Sequence, residues 1–371
     1  MRFPILSASL PQSRPMRDSL HATHRAFVEA LEKRVKAPGP ERLARLVREL
    51  STRGEGPEPS TREHLAARAH FFLTTDVAKL WQPGLEAVSA CELLSRKEIS
   101  VLDLHAGLGT ATAGMALLLA AVGFRGRLKA TLSETDSTLS GMARHAVDAL
   151  CDSLPFRIET SFATAPDAGR HDLVLLFDPV SRGQLPADPQ EIRKLAGSVL
   201  GSRVKKTGAL VLVDQAARAV ARSVATAATL LAADGRPVYA PCLCPAKGGP
   251  CECPYASRPG RFCFHSQPVP LTPLIQSAAA RSGLDRTEVN YTYLLATASG
   301  STLSSPEVAA DQVAGRVISH PNRVKKGFTY FVCTGRDVVQ GFAPRLLDDG
   351  VTRGGRLPHG TVVVLSTGRS E

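Results

Sequence analysis

From Ile99 onward, apolar residues gather into short runs separated by stretches of helical periodicity. SVLDL (Ser100–Leu104), RLKATLSE (Arg127–Glu134), HDLVLLFD (His171–Asp178) and ALVLVD (Ala209–Asp214) read as strands. Thr110–Gly123, a Ser-capped segment ending at Cys151, Pro189–Val204 and Gln215–Ala233 read as the helices that connect them. Strands that are apolar almost throughout are buried on both faces, and their alternation with helices makes them parallel. The expected fold class is therefore α/β, a doubly wound sheet. YTYLLATAS (Tyr291–Ser299) adds one later strand.

Two regions flank this core. Leu20, Phe27, Leu31, Val35, Leu43, Leu46, Val47 and Leu50 recur at helical spacing and predict a helix over 18–50. STRGEGPEPS (Ser51–Ser60) is a linker by composition, and Thr61–Ala90 is helical again. Beyond the Ser-rich break at Ser299–Pro306, AGRVISHP, KGFTYFVCTG and TVVVLST read as short strands of a small, basic β-module. The expected domains are a presequence at 1–17, a helical region at 18–95, the α/β unit at 96–240, and a cysteine loop with the β-module at 241–371.

Composition adjusts the picture only in places. Over 371 residues, 43% hydrophobic and 21% charged content is ordinary for a globular chain. The longest apolar run, Met115–Phe124, is too short for the roughly 18 residues of a membrane span. Lys and Arg number 45 against 34 Asp and Glu, a formal charge of +11, which favours a polyanionic partner such as nucleic acid. Aromatic content of 5% gives no obvious base-stacking platform, so phosphate contact and shape are the expected terms. Arg2, Arg14 and Arg17 lie among serines and leucines with no acid before Asp18, which suits a mitochondrial presequence.

Five of the eight cysteines, Cys242, Cys244, Cys251, Cys253 and Cys263, fall in one loop broken repeatedly by Pro and Gly. Such a loop has little apolar material of its own to pack. Thiolates gathered round a metal or an iron–sulfur cluster would hold it, and a reducing compartment disfavours disulfides. His265, just beyond, is a candidate ligand or neighbour.

VLDLHAGLGTATAG (Val101–Gly114) is a strand, a Gly-bearing turn and a helix start. Asp103, Gly107 and Gly109 resemble part of an S-adenosylmethionine-binding loop, and Glu134 at the next strand end is placed to hold a ribose, with Asp136 the alternative. His105 stands where a first glycine belongs and is expected to crowd the site. Asp178-Pro179-Val180 lacks the second proline and aromatic of an amino-methyltransferase motif, and no catalytic residue is assigned.

Several segments together resemble the mitochondrial small-ribosomal-subunit methyltransferase-like assembly factors, a family with bacterial rRNA-methyltransferase-like relatives. They are HLAARAHFFLTTDVAKLW (His64–Trp81), VLDLHAGLGTATAG, LVLVDQAARAVARSVATAATLL, and APC…CP…CFHSQ followed by HPNRVKKGFTYFVCTG. The resemblance implies a Rossmann-like class I methyltransferase fold with a [4Fe–4S] cluster on Cys242, Cys253, Cys263 and Cys333. Cys251 is an alternative to Cys253, and zinc is the alternative metal. It further implies a mitochondrial matrix protein that works with small-subunit rRNA, mitoribosomal proteins and other assembly factors. Arg323, Lys325 and Lys326 are the candidate RNA contacts, with Arg316 among the basic residues nearby. An active rRNA methyltransferase is the competing expectation; a zinc-ribbon module would explain the cysteines but not the α/β core.

Overall fold

The computed structural model describes residues 14–52, 61–166, 168–236, 238–242, 253, 255, 261–303, 312–325, 327–335, 337–344, 357 and 359–366. The larger sheet contains β1 (Glu98–Leu104), β2 (Arg127–Ser133), β3 (Arg157–Ala163), β4 (His171–Phe177), β5 (Val204–Gln215), β6 (Val238–Ala240), β7 (His265–Pro268) and β8 (Glu288–Thr297). Their order is β3-β2-β1-β4-β5-β8-β6, with β7 also on β8. Strands β1 to β5 run parallel and β8 runs antiparallel to β5. This is the expected doubly wound α/β fold. Its order reverses between β1 and β4, the switch point at which such sheets take ligands.

Alternate residues of each strand feed opposite cores. Val101, Leu173, Leu175, Val211 and Val213 pack with α6 (Thr110–Ala121) and α7 (Ser137–Ser153) on one face. Leu102, Leu104, Val174, Leu176, Leu210 and Leu212 pack with α8 (Pro189–Ser202) and α9 (Arg218–Ala233) on the other. The Asp136 and Asp188 carboxylates cap α7 and α8 by accepting from Thr138 N and Gln190 N. The sequence pattern did not disclose β3, whose residues are only partly buried, nor α10 (Pro273–Ser282).

The helix expected over 18–50 is two helices, α1 (Arg14–Arg34) and α2 (Pro40–Thr52). Pro38, Gly39 and Pro40 part them, since proline cannot continue a helix interior. Leu20, Phe27 and Leu31 of α1 enter the main core, while Leu43, Leu46 and Val47 of α2 pack on Ile275 and Ala278 of α10. Helix α3 (Arg62–Ala67), a π-helical turn (Arg68–Leu73), α4 (Thr74–Asp76), a 3-10 turn (Val77–Leu80) and α5 (Trp81–Ala90) follow in near-continuous succession. Gly114 of α6 lets this run approach closely: a Cβ there would stand 2.6 Å from Val77 O and 2.8 Å from Leu80 Cβ.

The tail forms a second sheet from β9 (Gln312–Val317), β10 (Asn322–Val324), β11 (Gly327–Cys333), β12 (Val338–Pro344) and β13 (Val362–Ser366). Its pairs are antiparallel, in the order β10-β11-β9-β13 with β12 also on β11. Val317, Phe328, Tyr330, Val332, Leu357 and Val363 make its core. Among the described residues no helix is long and apolar enough to cross a membrane.

Candidate functional site

The Gly-bearing turn sits where β1 and β2 end. Asp103 is fully buried, and its Oδ2 accepts from Thr112 N (3.0 Å) and Thr112 Oγ1 (2.8 Å) at the start of α6. Its Oδ1 has no partner among the described residues. Burial raises the Asp103 carboxyl to about 6. Glu134 is buried as well, and it serves the turn itself: Oε2 accepts from Gly107 N (2.8 Å) and Oε1 from Asp136 N (3.0 Å). Asp136, the alternative ribose holder, is instead the cap of α7.

Asp103, Gly107, Gly109 and Glu134 thus lie together at this turn, with Arg182 beside it. A Cβ on Gly107, whose φ is +57°, would collide with the Arg182 guanidinium. That guanidinium also stands 5.9 Å from the Phe177 ring centroid. His105 carries a left-handed φ of 55° and is exposed. Its departure from glycine therefore shows as backbone strain, and the Arg182 guanidinium lies against Gly107. These are the residues that would hold S-adenosylmethionine, Asp103 through the oxygen that has no partner among the described residues.

At the end of β4 a charged cluster occupies the strand mouth. Lys79 Nζ lies 3.3 Å from Asp178 Oδ2, 3.4 Å from Asp76 Oδ1 and 5.2 Å from the Phe177 ring centroid. Arg286 Nη1 reaches Asp76 at 3.0 Å. Asp178 itself has φ of 53°, and Asp214 at the end of β5 accepts from Val180 N (2.7 Å) and from Ser181. Sequence reasoning missed Lys79, Asp76, Arg182 and Arg286. The one signal present was a Lys three residues after an Asp in the otherwise apolar FFLTTDVAKLW.

The second locus is a cavity of ≈ 40 Å³ between the two sheets. Cys242, Cys253, Cys263 and Cys333 all line it, together with His265 and Arg316. Burial pushes the Cys263 thiol well up, and burial with the nearby Cys242 pushes Cys333 up to about 12. Cys91 is buried in the main core, and Cys151 is exposed on α7. Cys244 and Cys251 lie outside the described residues, as does Lys326. Among the described residues, no three His, Cys, Asp or Glu side chains form a group spaced to hold a metal ion.

Arg316, expected near an RNA face, is 2% exposed. Its Nη1 donates to Glu86 Oε1 (2.6 Å) and Gly360 O (3.2 Å), and Glu86 Oε2 accepts from the Tyr293 hydroxyl (2.6 Å). Its Nε and Nη2 find no acceptor among the described residues. A buried donor left unmatched costs about 1–3 kcal/mol, so two on one side chain call for an explanation. His265 is also buried, with neither ring nitrogen partnered among the described residues. Burial holds its imidazole neutral, well below the usual range. Arg323 and Lys325, by contrast, are exposed where β10 turns into β11.

No family model matches the chain, and no curated protein does. Several solved structures with some likeness are named as methyltransferases. The precorrin-6y C5,15-methyltransferase of Geobacter metallireducens is 16% identical over 58% of this chain and 89% of that one, with a TM-score of 0.31. The magnesium protoporphyrin IX methyltransferase of Synechocystis, solved with S-adenosylhomocysteine, is 13% identical over 68% and 92%, at 0.32. A human methyltransferase 10 domain containing protein is 12% identical over 58% and 81%, at 0.31. Likeness this distant carries no weight on activity. The strand order itself defines the fold, a doubly wound α/β sheet with one antiparallel strand beside β5.

Proposed function

We propose that this chain is an RNA-binding assembly factor of the mitochondrial small ribosomal subunit, a methyltransferase-like scaffold holding a [4Fe–4S] cluster on Cys242, Cys253, Cys263 and Cys333. The observation that carries the reading is the meeting of those four cysteines at one cavity, three from the Pro/Gly loop and one from β11. Four thiolates would serve zinc as well, and the choice of a [4Fe–4S] cluster over zinc rests on the resemblance. When bound, the cluster supplies iron–thiolate bonds that tie the loop to the small sheet. The raised Cys263 and Cys333 thiols must lose their protons to serve as ligands.

The Arg182 guanidinium against Gly107 and the salt-bridged mouth at Asp178 support a scaffold in which methyl transfer is weak or absent. The charge of +11 and the exposed Arg323 and Lys325 support small-subunit rRNA as partner. The matrix location rests on the acid-free N-terminus and on the resemblance.

Anaerobic purification followed by iron, sulfide and zinc quantification tests the cluster. Iron and acid-labile sulfide in the wild type, both lost in Cys263→Ser and Cys333→Ser and kept in Cys151→Ser, are expected. Stoichiometric zinc without sulfide would overturn it. Robust methylation of purified small-subunit rRNA would replace the scaffold with an enzyme, the reading favoured by Asp103 Oδ1, which has no partner among the described residues.

A further inference from the structure

We infer that Arg316 is the hydrogen-bond donor to the group held by the four cysteines, presenting Nε–H and Nη2–H to its sulfur atoms. The inference rests on the cluster reading above and adds a residue that the cysteine pattern does not assign. Three independent observations place it there.

The first is register. Arg316 on β9 pairs directly with Cys333 on β11 in an antiparallel ladder. Residues opposite one another in such a ladder project to the same face, with Cβ atoms about 4.5–5.5 Å apart. The guanidinium and the Cys333 thiol therefore share one side of the small sheet, and both line the cavity.

The second is orientation. One end of the guanidinium is fixed: Nη1 is held by Glu86 Oε1 at 2.6 Å and by Gly360 O at 3.2 Å. A planar fork clamped at Nη1 has its remaining N–H directions set by geometry rather than by solvent. Those remaining groups, Nε and Nη2, are buried and have no acceptor among the described residues.

The third is charge. A cubane of iron and sulfide with four thiolates is net negative, and burying it beside neutral groups alone would be costly. The Arg316 guanidinium, paired with Glu86 Oε1 at 2.6 Å, brings a positive group to the cavity wall. Hydrogen bonds to cluster sulfurs are among the levers that set a cluster's reduction potential.

The test uses the full-length protein, purified anaerobically, with iron and sulfide counted first. A wild type without iron and sulfide fails the cluster reading itself, before Arg316 is in question. With the cluster present, wild-type protein carrying ¹⁵N-labelled arginine is reduced with dithionite and examined by pulsed electron paramagnetic resonance. A weak ¹⁵N coupling to the cluster is expected, disappearing in Arg316→Gln. Its absence from the cluster-loaded wild type would overturn the inference whether or not any variant folds. In a redox titration Arg316→Gln should shift the midpoint to more negative potential, and Arg316→Lys, which keeps the charge but loses the fork, should shift it less. An unchanged midpoint in an Arg316→Gln protein that retains full iron would also overturn it.

Discussion

Lys79 and Asp178 form an ion pair with Nζ 3.3 Å from Oδ2 and side-chain exposures of 3% and 5%. The lysine comes from the 3-10 turn before α5 and the aspartate from the end of β4, so the pair fastens the N-terminal helices to the strand mouth. Breaking a buried pair from one side leaves an uncompensated charge, at a cost of about 3–5 kcal/mol. Lys79→Met should lower the denaturation midpoint accordingly, and Lys79→Met with Asp178→Asn should recover much of the loss. Equal destabilisation in the single and double variants would show that the pair is not the source.

Asp103 sets a pH dependence of definite sign. Its folded value, about 6, lies above the ordinary 3.8 because burial disfavours the anion. The folded state then binds the proton more tightly, so this group favours folding below about pH 4 and loses that contribution as pH rises through 6. Asp103→Asn should therefore leave the acid limb nearly unchanged and gain stability over wild type above pH 6, by up to roughly 3 kcal/mol. Thermal unfolding of both proteins from pH 4 to 8 checks it; a gap that narrows with rising pH contradicts the burial account.

Arg182 and Glu134 make opposite predictions for cofactor binding. Removing the guanidinium from above Gly107 should strengthen S-adenosylmethionine binding several-fold in Arg182→Ala. Glu134→Ala removes the tether on Gly107 N and, with it, the proposed ribose acceptor, and should abolish binding. Calorimetry on the two variants and the wild type decides; binding unaffected by either change would locate the ligand elsewhere.

Phosphate-led RNA binding predicts a steep loss of affinity with salt. Replacing Arg323, Lys325 and Lys326 together by alanine should weaken binding to small-subunit rRNA and flatten the log–log salt slope by about 0.7–0.9 for each phosphate contact removed. Iron content should be unchanged, because Arg323 and Lys325 are exposed and absent from the cysteine cavity. A slope identical to wild type would move the RNA surface away from this hairpin.

The fold was legible because it is written in burial. Leu173 and Leu175 face one core, Val174 and Leu176 the other, and a strand apolar on both faces announces its neighbours. Strand β3, half-exposed at the sheet edge, has no such signature. The cysteine cavity was legible because thiols in a Pro/Gly loop have few other uses. Arg316 and Arg182 were not, since a lone arginine in a sequence looks the same whether it faces water or a buried cavity. Only the β9–β11 register and the turn after β4 reveal what each one meets.

The Glu86–Arg316 bond joins α5 of the helical region to β9 of the second sheet, with the Tyr293 hydroxyl closing the group from β8. Three segments remote in sequence are thereby keyed to one another through a single carboxylate. Natural variation should reflect this linkage. A lineage that loses the arginine is freed to lose the glutamate, and one that keeps either alone carries a stranded charge in its interior. The two positions are thus expected to be inherited as a pair, and comparing them across relatives would show how old the join between the two sheets is.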